Sequence, residues 1–98
     1  MFIKIHESYR RIVAVCDIEL IGKKFEQGNM QLEVREEFYK GEKKTENEII
    51  ELMRIEASED STFDLVGKKA VQAGIKAGVI SKEGIIELQG VPHALTLL

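Results

Sequence analysis

STFDLVGKKAVQAGIKA, residues 61–77, is the stretch whose reading decides the fold. Ser61 followed by Asp64 is a helix-start pattern, a hydroxyl and an acid spaced to answer the free N–H groups of a first turn. Placed at roughly 100° intervals, Phe63, Val66, Ala70, Val71, Ala73, Gly74 and Ala77 gather on one broad side. Lys68, Lys69, Gln72 and Lys76 fall opposite. The periodicity predicts a helix from about 62 to 77, stopped by Gly78 in the left-handed conformation. Gly67 and Gly74 lie near the middle of its apolar side. Each costs about 1 kcal/mol relative to alanine inside a helix. The expected return is close packing of helix on sheet, with backbone approach to a ligand as the sharper alternative.

Just upstream, Thr45 and Glu48 form a Thr-x-x-Glu capping box, and Ile49, Ile50, Leu52, Met53 and Ala57 follow at helical spacing. A helix over about 46–57 is predicted, ended by SEDS at 58–61. Toward the N-terminus, MFIKIH alternates as a strand does, and RIVAVCD is β-branched and apolar on both faces, so it belongs at the centre of a sheet. Residues 2–7 and 10–16 make the simplest hairpin. Residues 18–26 read as irregular with a short strand, QGN as a turn into a half-exposed strand at Met30, Leu32 and Val34, and EEFYKGEKK as a polar loop in which Phe38 and Tyr39 need shelter. Downstream, IIELQ and GVPHALTLL supply two strands, with Gly90 and Pro92 entering an edge strand and His93 held to fixing that turn by a hydrogen bond. The order lacks βαβ alternation. It predicts one α+β domain over 1–98, a mainly antiparallel sheet with two consecutive helices, about 46–57 and 62–77, packed on one face.

Composition narrows the function classes. The chain is 44% apolar and 32% charged, with net charge −3, which fits a globular chain and excludes a broadly basic duplex-binding surface. Residues 45–64 carry Arg54 against seven acids, whereas eight of the thirteen basic residues elsewhere come as doublets: Arg10-Arg11, Lys23-Lys24, Lys43-Lys44 and Lys68-Lys69. No apolar run reaches the ~18 residues of a membrane helix, and no signal-peptide layout opens the chain. With one cysteine, no internal disulfide forms, and the cytoplasm is the expected compartment. One Cys and two His cannot build a four-ligand zinc site within one chain unless carboxylates or a second subunit contribute, so no metal and no cofactor are expected. Neither Gly22-Lys23-Lys24 nor Gly67-Lys68-Lys69 has the upstream glycine and following hydroxyl of a phosphate-binding loop.

Two sets of residues could carry function. Cys16 with His93, or with His6, is the candidate nucleophile and base of a small enzyme, provided the thiol is exposed and its pKa lowered. Tyr9, Arg10, Arg11, Lys23, Lys24, Lys68 and Lys69 are the candidate ligand-binding residues of an RNA surface, the cations for phosphates and the tyrosine for stacking on a base. That surface requires the doublets to converge. A non-enzymatic module for RNA or a ribonucleoprotein is the preferred reading, with the Cys16 enzyme second. A protein–protein adaptor using the acidic 46–64 segment is third. Leu95, Leu97 and Leu98 on an apolar sheet edge would favour a homodimer.

The segments MFIKIHES, RIVAVCDIELIGKKFEQGNMQLEV, DLVGKKAVQAGIKAGVI and GVPHA, in that order and spacing, resemble a family of small archaeal proteins known as a domain of unknown function. The resemblance covers nearly the whole chain and implies a small cytosolic α+β protein of archaeal lineage. It brings no activity, cofactor or catalytic residue with it. It points only to a location for a shared site, through Cys16, Asp17, Gly22, Lys23, Lys24, Gly67, Gly90, Pro92 and His93. The abundance of Lys and Glu matches a heat-exposed protein.

Overall fold

The computed structural model describes residues 1–96. Strands β1 (Phe2–His6) and β2 (Ile12–Cys16) form the expected antiparallel hairpin. Beyond a 3-10 turn at Ile18–Leu20 come β3 (Lys24–Gln27) and β4 (Met30–Glu33), a separate two-stranded hairpin turned at Gly28-Asn29. Phe38 and Tyr39, expected in a loop, lie on a one-turn helix, α1 (Glu36–Tyr39), followed by the two-residue β5 (Glu42–Lys43). Helix α2 (Glu46–Ala57) has the predicted bounds. The Thr45 hydroxyl accepts the Glu48 N–H at 3.3 Å and the Glu48 carboxylate accepts the Thr45 N–H at 2.9 Å. The Thr45 N–H bonded to the anion, helped by the Thr45 side chain, holds the Glu48 carboxyl below its usual range.

The opening stretch resolves differently from its periodicity. Residues Thr62–Val66 are a strand, β6, and the helix, α3 (Lys68–Ala77), starts only after Gly67. Phe63 and Leu65 face one side of the sheet and Asp64 and Val66 the other. Thr, Phe and Val suit the pleat, and partners on both sides complete the hydrogen bonding. The two helices are therefore separated by a strand. β6 runs parallel to β2, so the connection from β2 through α2 to β6 is a βαβ-type crossover that the sequence order did not reveal. The remaining pairs are antiparallel, and the sheet stays mainly so, in the order β5-β1-β2-β6-β8-β7. Here β7 is Ile85–Leu88 and β8 is Val91–Thr96. Pro92 and His93 thus sit on an interior strand, paired on both sides, and β7 is the edge. Leu95 is likewise off the edge, while Leu97 and Leu98 fall outside the described residues.

Both faces of the sheet are packed. On the first, Val13, Val15, Phe63, Leu65 and Ala94 meet Ile49, Ile50 and Met53 of α2 and Ala70, Val71 and Ala73 of α3, so both helices do share one face. Gly74 lets α3 come down on the Leu65 side chain, the close packing expected of it. On the second, Ala14, Cys16, Val66 and Leu88 lie under Leu32, Val34 and Tyr39, the inner side of the small hairpin and α1. β2 is covered above and below, as its apolar run predicted. Among the described residues no helix is long and apolar enough to cross a membrane.

Candidate functional site

Register alone fixes where the candidates lie. Phe2 is paired with Cys16 and Lys43, Cys16 with Val66, and Val66 with His93. These residues mark one end of the sheet, the carboxyl end of the parallel pair β2–β6. The β1–β2 turn holding Tyr9, Arg10 and Arg11 is at the opposite end, next to the His6–Ile12 pair. The RNA surface imagined from sequence therefore divides. Tyr9 is fully exposed, but Arg11 is tied to the buried Glu56 at 3.4 Å. Lys68 and Lys69 follow β6 at the carboxyl end, the Lys23 N–H donates to the Leu20 carbonyl nearby, and Lys43 reaches the same end through its pairing with Phe2. Lys24 and Lys44 are instead ion-paired with Glu26 (3.6 Å) and Glu42 (3.4 Å).

That end contains a cleft of about 360 Å³ lined by Glu19, Leu20, Lys68, Lys69, Gly90 and Pro92, floored by Asp17 and Gly67. Asp17 follows the apolar β2, and its carboxylate accepts the N–H groups of Lys69 (3.1 Å) and Ala70 (2.8 Å). A buried carboxylate so placed satisfies the first turn of α3 and suits the positive end of its dipole. The helix has no side-chain cap of its own, because Gly67 is at the cap position. Gly67 has φ +106°, and a Cβ there would run into the Asp17 carboxyl. Its N–H donates to the Pro92 carbonyl at 2.9 Å. Asp17, Gly67, Gly90 and Pro92, scattered through the sequence, are one junction, and Lys68 and Lys69 leave it exposed and without ion pairs among the described residues.

Cys16 does not meet the terms of a nucleophile. It is fully buried under the small hairpin, its thiol donates to the Asp17 carbonyl at 3.1 Å, and no histidine hydrogen-bonds to it. Burial, reinforced by the negative charges of Asp17, Glu19 and Asp64, pushes its pKa up to about 12. Val66 separates it from His93 in the register, a spacing of two strands or about 10 Å. His6 instead stacks on Phe38, with ring centroids 4.3 Å apart, and shares a 2.8 Å hydrogen bond with the Phe38 carbonyl.

His93 fixes no turn. Its Nε2 lies 3.0 Å from Asp64 Oδ1 on the neighbouring strand, and the same oxygen accepts the Tyr39 hydroxyl at 2.9 Å. Burial and the Asp64 charge raise the Tyr39 pKa further above its ordinary value. This Tyr39–Asp64–His93 network anchors α1 to the centre of the sheet, and Tyr39 and Asp64 line a second cleft, about 430 Å³, together with His6, Glu33, Arg35, Glu37 and Phe38. Sequence reasoning missed Tyr39 and Asp64. The available signal was an aspartate inside TFDLV, out of place in an apolar strand but unremarkable in a helix. No group of three or more His, Cys, Asp or Glu among the described residues is arranged to hold a metal ion.

No curated protein matches the sequence. The fold is shared with the crystal structure of an uncharacterized conserved protein from Methanopyrus kandleri, at a TM-score of 0.86 and 25% identity, over 97% of this chain and 88% of that one. The family model described as "Protein of unknown function (DUF424)" matches residues 6–97, and the chain belongs to that family.

Proposed function

We propose that the chain is a non-enzymatic binding module, working in the cytoplasm, whose ligand is single-stranded RNA held at the carboxyl end of the β2–β6 pair. The observation that carries this reading is the Lys68-Lys69 doublet, exposed and without ion pairs among the described residues, on the rim of a cleft at one end of a net-acidic protein. Unpaired ammonium groups at a concave surface attract phosphates, and the crevice beyond the carboxyl ends of parallel strands is where open sheets receive ligands. Asp17 already fills the start of α3, so the phosphates meet lysine side chains rather than the helix end.

Fluorescence anisotropy of a labelled 12-nucleotide RNA tests this at two salt concentrations. Affinity is expected to fall with salt at a log–log slope of about 0.7 per neutralised phosphate. Lys68→Glu with Lys69→Glu should weaken binding at least tenfold, and Tyr9→Ala by less than twofold, because Tyr9 is at the far end. Absence of binding at low salt, or a flat salt response, defeats the reading.

A further inference from the structure

The second face of the sheet is only half roofed. The small hairpin and α1 cover Cys16, Val66 and Leu88, yet on the same face Leu95 is 52% and Ile86 49% exposed. Leu95 pairs with Asp64, and Ile86 pairs with His93. Directly opposed residues of an antiparallel pair point to the same side, so two exposed aliphatic side chains share the face of Asp64, Leu95 on the strand beside it and Ile86 beyond His93.

The cleft has a distinct chemistry. Asp64 spends one oxygen on Tyr39 and His93, and its other oxygen accepts no hydrogen bond among the described residues. Glu33 and Glu37 add negative charge at the rim, where the one arginine, Arg35, is 3.7 Å from Glu33. The stacked rings of His6 and Phe38 form a flat wall. Such a lining repels a phosphate chain, which separates this face from the lysine-bearing end. It suits a planar cation that lies against a ring while its N–H groups reach carboxylates, and guanidinium is that group. A free guanidinium compound would leave Leu95 and Ile86 in water, whereas a polypeptide covers them.

We propose that this half-open face docks a partner polypeptide that inserts an arginine side chain flanked by aliphatic residues, with the Asp64 carboxylate as its anchor. The reading goes beyond RNA binding and stands without it.

The test is titration of the full 98-residue chain with the peptide acetyl-Gly-Leu-Arg-Leu-Gly-amide, followed by amide and side-chain NMR shifts. Shifts should concentrate on β6, β8 and α1. The citrulline version of the peptide, which lacks the charge, should bind at least fivefold more weakly, and so should N-acetylarginine amide, which lacks the aliphatic flanks. Asp64→Asn, which preserves an acceptor for Tyr39, should cost at least fivefold. The exposed substitutions Glu37→Gln and Leu95→Ser should each weaken binding at least twofold with the fold intact. Equal binding of the citrulline peptide, shifts confined to Lys68–Ala70 or α2, or no effect of any of the three substitutions overturns the proposal. N-acetylarginine amide binding as tightly as the peptide overturns the polypeptide partner. Lys68→Glu with Lys69→Glu should leave peptide binding unchanged, so failure here and failure of RNA binding are told apart.

Discussion

Two residues bear the most structural consequence. Asp17 and Gly67 exist as a pair, because the carboxylate that caps α3 occupies the space where a Cβ at Gly67 would go. Gly67→Ala should cost at least ~2 kcal/mol in urea unfolding, from the left-handed φ together with the collision. Asp17→Ala should cost about 1–3 kcal/mol, from two N–H groups left unsatisfied. In the Asp17→Ala background the glycine substitution should cost less, and a double-mutant cycle reads that coupling directly. Cys16 supplies a pH dependence. Folded, it keeps its proton up to about pH 12, whereas the unfolded thiol loses it near 9.0. Between those values the folded state holds more protons, so this contribution is complete below pH 9 and is lost as pH rises. The slope reaches about 1.4 kcal/mol per pH unit. Tyr39, also raised, acts in the same direction. Urea unfolding from pH 8 to 11 should show the decline, and Cys16→Ala should make it shallower.

At the scale of elements, legibility followed the range of the interactions. Helix α2 was readable to the residue because its capping box is local, two side chains three positions apart. β6 was not. Phe63, Val66 and Ala70 satisfy a helical spacing as well as a strand does, and what settles the matter is pairing with β2, some fifty residues earlier, and with β8, some thirty later. Leu65 expresses the difference. The helical reading leaves it off the apolar stripe, yet in the strand it is fully buried against Gly74 and the α2–α3 layer. Leu65→Ala should therefore destabilise by about 2–5 kcal/mol in chemical denaturation. A loss under ~0.5 kcal/mol would mean that the side chain is at the surface. The same long range hid the Tyr39–Asp64–His93 network, whose members are 25 and 29 residues apart and meet only across strands.

The whole molecule is one sheet with two unequal coats. Helices fill the first face, and a small hairpin with a one-turn helix fills half of the second. Cys16 lies beneath the lighter coat, so it reports on the cooperativity of the chain. Its reaction with iodoacetamide should be negligible in the native state at pH 8 and should appear along the same urea transition as far-UV circular dichroism. Labelling well before that transition would show the hairpin lifting on its own. By itself the sequence determined the α+β class, the first hairpin, the buried centre at β2, helix α2 with both ends, and the stop at Gly78. Each of these follows from periodicity or capping within a few residues. Only the tertiary structure decided that 62–66 is a strand parallel to β2, that Pro92 and His93 are interior, and that Asp17 closes α3. It also separated Tyr9 and Arg10 from the lysine doublets. Those outcomes rest on backbone pairing and side-chain contacts between segments far apart in the chain, which local spacing does not encode.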